Sequence, residues 1–316
     1  MQYLRFSQAV CLFFFGLGLL TTTTVFGQAS SSAAKTVSLT VIVTDDDGRT
    51  VSGLAREQFS VFEKTTQLDI AEFDSFDKPA SVAFLFDLSE SVPVPFKNAA
   101  GQAAYQFIQK SNQANDYLIV GFDKETMLLG DWGMDQQGVK KALDEVVHYT
   151  PKRNTALYDA CSMTLKRLES SKYSTHVLLL FSDGQDNMSK LSFKRLREEL
   201  KESSATLYTI GLVNQVDVGS SLGMEGQGVL GELASVSGGK AYYPPTSRNT
   251  RELQDVLDQI SLELSHHYTI RFSSPSATPD NKWHAIKVKL TLPPKDKQGH
   301  KYPHLNVRSR GGYYAR

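Results

Sequence analysis

The chain has 316 residues, 41% of them hydrophobic and 22% charged, with 34 Lys+Arg balanced by 34 Asp+Glu. That length suffices for about two domains, and the apolar share is that of a chain able to bury a core. Zero net charge excludes the basic excess of a typical nucleic-acid binder, so no nucleic-acid partner is expected.

Residues 1–27 read as a signal peptide. Arg5 precedes an apolar run from Ala9 to Leu20, and Val25-Phe26-Gly27 brings small residues to a cleavage point after Gly27 or Ala29. The alternative is a retained anchor, but the run is short of the ~20 residues a spanning helix needs. No later stretch is long and apolar enough, so the mature chain is expected to carry no transmembrane segment and to be exported to the periplasm, cell surface or medium. Cys11 would leave with the leader, and Cys161 then has no partner for an internal disulfide. Cys161 shares a helical stripe with Leu157, Thr164, Leu165 and Leu168 and reads as a core residue.

Residues 28–34 form a small-residue linker. From 35 to 78 the chain reads as antiparallel β structure. Val37, Leu39, Val41 and Val43 alternate with period two, Asp45-Asp46-Asp47-Gly48 turns the chain, and Phe59 to Glu63 and Leu68 to Phe73 continue the pattern. From 79 to 265 apolar runs at 82–86, 117–120, 177–181 and 207–210 alternate with helical patterns at 96–110, 136–147, 156–170, 193–202 and 251–264. Strands apolar on both faces need cover on both faces, which implies an α/β fold: a doubly wound, mostly parallel sheet flanked by helices. From 266 to 316 the β pattern returns, at 268–272, 284–290 and 305–307. Each flank has too few strands to stand alone. The two are therefore expected to pair into one β-sandwich, with the α/β domain inserted between them.

Three loops carry the chemistry. Asp87-Leu88-Ser89-Glu90-Ser91 ends the first α/β strand, Asn154-Thr155 leads into a helix, and Asp183-Gly184 ends another buried strand. Open α/β sheets bind ligands at the carboxyl ends of their strands. Magnesium prefers hard oxygen ligands in an octahedron and keeps several waters. Ser89, Ser91 and Thr155 supply neutral oxygens, while Asp87 and Asp183 can hold coordinated waters and balance the charge. A metal without a direct carboxylate ligand stays electrophilic toward a carboxylate from another molecule.

Asp87-x-Ser89-x-Ser91, Thr155 and Asp183-Gly184 resemble, in order, the metal-ion-dependent adhesion site of the von Willebrand A/integrin I superfamily. The resemblance runs from about residue 79 to 265 and includes Leu233-Ala234-x-x-Ser237-Gly238-Gly239-Lys240-Ala241-Tyr242. Asn154 departs from it, standing where glycine often precedes the threonine. Val43-Thr44-Asp45-x-x-Gly48, Val51-x-Gly53-Leu54, Phe59-x-Val61-x-Glu63 and the ending Val307-Arg308 with Gly311-Gly312-Tyr313-Tyr314 are similar to exported bacterial VWFA-related proteins, known mainly from acidobacteria. The resemblance implies a non-enzymatic, metal-dependent adhesion module. It would carry Mg2+, with Mn2+ or Ca2+ as alternatives, and hold a protein partner through an acidic side chain.

Two other functions compete. One is an envelope-assembly subunit in which the metal only stabilises the fold. The other is a phosphatase-type hydrolase with Asp87 as nucleophile, but Ser89 stands where such enzymes carry a second aspartate, and no Gly-x-Ser-x-Gly elbow exists. Four further features read as structural. Asp186-Asn187 read as a solvated turn, with loop orientation as the alternative. The Gly-rich run from Gly219 to Gly231 reads as a surface loop. His266-His267 read as surface residues, and Lys194, Arg195, Arg197 and Lys201, interleaved with Glu198, Glu199 and Glu202, as a solvated helix face.

Overall fold

Packing of the period-two segments sets the order of the architecture. The structure is a computed structural model and describes residues 36–75, 78–212, 220–244, 250–273, 280–293, 302 and 304–315. The leader and linker expected over residues 1–34 lie outside the described residues. Strand β1 (Thr36–Thr44) buries Leu39, Val41 and Val43 on one face. Strands β2 (Phe59–Glu63), β3 (Thr66–Leu68) and β4 (Ile70–Asp74) follow, and the chain changes sheet at Asp69. The α/β part then runs β5 (Ser81–Asp87), α1 (Val94–Lys110), β6 (Asp116–Phe122), β7 (Thr126–Gly130), α2 (Gln136–His148), α3 (Leu157–Glu169), β8 (His176–Ser182), α4 (Phe193–Glu202), β9 (Thr206–Gly211), α5 (Ser221–Ser237), β10 (Ala241–Tyr242) and α6 (Thr250–Ser265). Strands β11 (Tyr268–Ser273), β12 (Trp283–Leu290), β13 (Asn306–Ser309) and β14 (Gly312–Tyr314) complete it.

The central sheet has the order β10-β9-β8-β5-β6-β7 and is parallel apart from the edge strand β7. Strand β5 is buried at every position. Val82, Phe84 and Phe86 face a core closed by α1, α2 and α6, while Ala83 and Leu85 face one closed by α3, α4 and α5. This is the doubly wound arrangement the apolar runs predict. Cys161 is fully buried in the second core, and burial pushes its thiol up, so it is an inert packing residue. Among the described residues no helix is long and apolar enough to cross a membrane.

The flanks form two four-stranded antiparallel sheets, β13-β1-β11-β4 and β14-β12-β2-β3. Each mixes strands from both ends of the chain, and one core joins Leu39, Val41 and Val61 to Ile270, Phe272 and Val288. Ile42 points the other way and joins the α1/α2/α6 core. Strand β1 therefore packs one face into the sandwich core and contributes Ile42 to the α/β core.

Three expectations need correction. The Gly-rich run is helical from Ser221 onward, capped by the Ser220 hydroxyl, which accepts from the Gly223 amide at 3.0 Å. His267 is buried, its Nδ1 2.6 Å from the Leu264 carbonyl oxygen, because the helix end turns it inward, and His266 is half-buried. The basic face of α4 is not simply solvated. Arg197 pairs with Glu232 of α5 at 2.9 Å, and Tyr314 donates to Glu198 at 2.6 Å.

In the sandwich, His284 lies between two carboxylates, with Nδ1 2.6 Å from Glu63 and Nε2 3.0 Å from Asp280. These hydrogen bonds, Glu63 first, raise its pKa above the ordinary 6.5. A histidine raised in the folded state stabilises fully below its unfolded pKa, and that contribution disappears as pH climbs through the folded value. Thermal melts from pH 6 upward should therefore show wild type losing more stability than His284→Gln. Parallel curves would exclude the coupling.

Candidate functional site

Strand β5 delivers Asp87 to the carboxyl edge of the sheet at 1% exposure, and Ser89 follows with the same burial. Asp87 Oδ1 accepts from the Ser89 amide at 3.0 Å and from its hydroxyl at 2.5 Å, and the Ser89 and Ser91 hydroxyl oxygens lie 2.9 Å apart. Ser182, at the end of β8, donates to Asp87 Oδ2 at 2.7 Å and accepts from the Gly184 amide at 3.0 Å. The first and third loops are thereby tied together.

The second loop is tied to both. The Glu90 amide donates to the Lys152 carbonyl at 3.3 Å. The Thr155 amide donates to Asn187 Oδ1 at 2.9 Å, and the Asn187 amide returns a bond to the Thr155 carbonyl at 3.0 Å. Asp186 accepts from the Tyr158 amide at 3.3 Å. Asp186 and Asn187 thus orient the Thr155 loop, where a solvated turn was expected. Asn154 sits at φ 75°, the left-handed conformation that glycine and asparagine adopt most readily. Its departure from glycine therefore leaves the loop geometry intact.

The Gly-rich helix has its reason here. A Cβ on Gly226 would stand 2.2 Å from the Asp183 carbonyl oxygen, and one on Gly184, at φ +82°, 2.3 Å from that of Gly226. The α5 backbone rests directly on the Asp183-Gly184 turn, an approach only glycine permits.

Two buried groups had no motif to announce them. Lys97, 2% exposed, donates Nζ to the carbonyls of Leu88 and Ser89 at 2.9 and 2.8 Å, bracing the first loop from beneath. Asp123, fully buried, accepts from the Tyr149 hydroxyl at 2.7 Å, and its carbonyl accepts from the Ala156 amide at 2.7 Å. Its place at the end of β6, on the same sheet edge, is the signal that could have found it.

At this edge the buried Lys97 ammonium lies within the field of Asp87 and Asp123. Burial, and then the nearby Asp183 carboxylate, hold the Asp87 pKa well above the ordinary carboxylate range. Lys97 points its hydrogen bonds at carbonyls. A buried carboxylate facing a second one, amid hard hydroxyl oxygens, suits a small divalent cation. The five residues Asp87, Ser89, Ser91, Thr155 and Asp183 lie on three mutually bonded loops, so the residues present fit such an ion.

A family model described as the von Willebrand factor type A domain matches residues 81–259, more than half of the chain. Among solved structures, the vWF domain of the type V pili tip protein Mfa5 from Porphyromonas gingivalis is 13% identical, with a TM-score of 0.46 over 59% of this chain and 96% of that one. The PilB minor pilin from Streptococcus sanguinis is 14% identical, with a TM-score of 0.44 over 60% and 62%. Proximal thread matrix protein 1 from the mussel byssus, solved with a zinc-occupied MIDAS motif, is 15% identical, with a TM-score of 0.47 over 64% and 49%. The chain thus spans less than two thirds of the latter two. No curated protein sequence matches it. The chain belongs to the von Willebrand factor type A domain family.

Proposed function

We propose that the chain is an exported, non-enzymatic interaction module that binds a divalent cation through Asp87, Ser89, Ser91, Thr155 and Asp183 and engages an acidic side chain of a protein partner. Mg2+ is the favoured ion, with Mn2+ or Ca2+ as alternatives. The observation that carries this reading is the hydrogen-bonded Asp87-Ser89-Ser91 cluster, its first two residues buried and Ser91 exposed at its mouth, beside Asp183 at the carboxyl edge of the sheet. A bound cation would supply Lewis acidity toward a partner carboxylate. The protein's part is to hold neutral hydroxyls toward the ion and to keep both aspartates fixed, so that the ion's charge is not spent on a direct carboxylate ligand.

Exposed apolar side chains on the same loops support a partner surface. Val94 opens α1 just beyond Ser91, Met188 follows Asn187, and Leu222 bonds through its carbonyl to Gln185 at 2.7 Å. The hydrolase reading is disfavoured because Asp87 accepts hydrogen bonds from Ser89 and Ser182 on both oxygens, which leaves it a poor nucleophile. A purely structural metal is disfavoured because protein hydrogen bonds already lace the three loops together.

Calorimetric titration of metal-free protein from Gln28 onward tests the site. Magnesium or manganese should bind one-to-one, with Asp183→Ala and Thr155→Ala each weakening it at least about tenfold, near 1.4 kcal/mol. Unchanged affinity in both variants would move the ion elsewhere.

A further inference from the structure

At the opposite, amino-terminal end of the β8 and β9 strands, the sandwich and the α/β sheet meet around a cavity of about 50 Å³. Its character is unlike that of the two apolar cores. One wall is the outer face of the sandwich sheet, with Ser38 and Thr40 of β1 and Arg271 of β11. The other is Ser174 and Thr175 before β8, Ser204 before β9, and Arg310 beyond β13, with Lys78 at the side. Three cationic side chains and a set of hydroxyls thus converge, and among the described residues no carboxylate lines the space.

The three cations are not equally neutralised. Arg271 reaches Glu72 at 2.6 Å and Asp74 at 3.4 Å, and Lys78 reaches Asp74 at 2.6 Å. Arg310 instead donates to the carbonyls of Leu200 and Ser203. Carbonyls satisfy hydrogen bonds but carry no net charge, so the half-buried guanidinium has no formal counter-charge among the described residues. Burial accordingly pulls Arg310 down to about 10. A buried charge without a counter-ion is costly, and a guanidinium fork together with hydroxyl donors matches the oxygens of phosphate or sulfate.

We propose that this cavity is a binding site for a small tetrahedral oxyanion, phosphate or sulfate, which bridges the sandwich to the α/β sheet. Its volume admits a few waters or one such ion. The site is independent of the metal edge, so the two stand or fall separately.

The test is calorimetry and thermal melting of the whole chain in EDTA, which removes any metal contribution, with inorganic phosphate, sulfate and chloride at matched ionic strength. Millimolar concentrations keep clear of the general stabilisation that phosphate and sulfate exert by exclusion from protein surfaces. One-to-one binding of phosphate or sulfate but not chloride is expected, with a melting temperature that climbs with ligand concentration. Whichever of the two binds more tightly is the preferred occupant. Arg310→Gln should weaken binding at least about tenfold, but it also removes the bonds to Leu200 and Ser203. Thr40→Met avoids that by filling the cavity from the sandwich side, and it should weaken binding by a similar factor in a protein that still folds. No binding by wild type means that the cavity holds only water, and binding that survives Thr40→Met places the anion elsewhere; either result overturns the proposal.

Discussion

Gly226→Ala is expected to destabilise the protein by about 1–3 kcal/mol, against the sign that helix propensity alone gives. In an ordinary helix interior the same change stabilises by roughly 0.5–1 kcal/mol. At Gly226 the added methyl would stand 2.2 Å from the Asp183 carbonyl oxygen, and what must yield is backbone on both sides. Helix α5 would have to lift off the turn that carries Asp183. Magnesium affinity should therefore fall along with stability. Gly228 is the internal control. It lies in the same helix, and a Cβ there meets nothing within 4 Å, so Gly228→Ala should stabilise. Urea melts of the two variants, with a magnesium titration of the first, check the pair. If both alanines stabilise, α5 does not rest on the Asp183-Gly184 turn.

The second large effect is expected where α6 meets the sandwich. Glu263 of α6 is 1% exposed, pairs with Arg308 of β13, and accepts from the Tyr208 hydroxyl at 2.8 Å. Arg308 also donates to the Gly238 carbonyl at 2.7 Å, and its guanidinium lies 5.6 Å from the centre of the Tyr208 ring. Arg308→Met would strand a buried carboxylate and should cost about 3–5 kcal/mol. Glu263→Leu leaves Arg308 without its counter-charge and the Tyr208 hydroxyl without its acceptor, and should cost a similar amount. The double variant removes both charges, so its loss should fall short of the sum by about 0.5–3 kcal/mol. Denaturant unfolding of the three proteins measures that coupling; strict additivity would mean that the two side chains act apart.

The parts of the fold legible in the sequence are those where burial is uniform or strictly periodic. Strands β5 and β9 are buried throughout and β8 at every position after His176, and nothing but a sheet covered on both faces explains such runs. Leu39, Val41 and Val43 gave the sandwich its period. Strand β7 escaped notice because it is an edge strand, half-buried and only five residues long, following a turn of Asp123-Lys124-Glu125. Helix α5 escaped because its glycines weaken both propensity and periodicity. One of them, Gly226, serves backbone contact with a loop distant in sequence, which no local pattern reveals. At the site, the hydroxyls and aspartates carried a pattern of spacing. Lys97, Asp123 and Asn187 did not, since each acts on backbone groups that only the folded chain brings near.

Strand β1 pairs with β11, Leu39 opposite Ile270, so its partner lies 231 positions later (270 − 39) in the chain. At about 5–20 residues per second of synthesis, β1 waits on the order of 10–50 s for that partner, while the α/β sheet has all its strands well before. The order of assembly follows: the inserted sheet forms on contacts closer in sequence, and the sandwich closes last, at the loop-closure cost of distant pairing. During the wait β1 exposes an unpaired apolar ribbon of alternating Val and Leu, the kind of edge that recruits other strands. Ile42 offers no early berth, because the core it enters also needs Leu253, Leu257 and Ile260 of α6, made only just before β11. Both faces of the earliest strand are therefore covered at nearly the same moment, when the last part of the chain arrives.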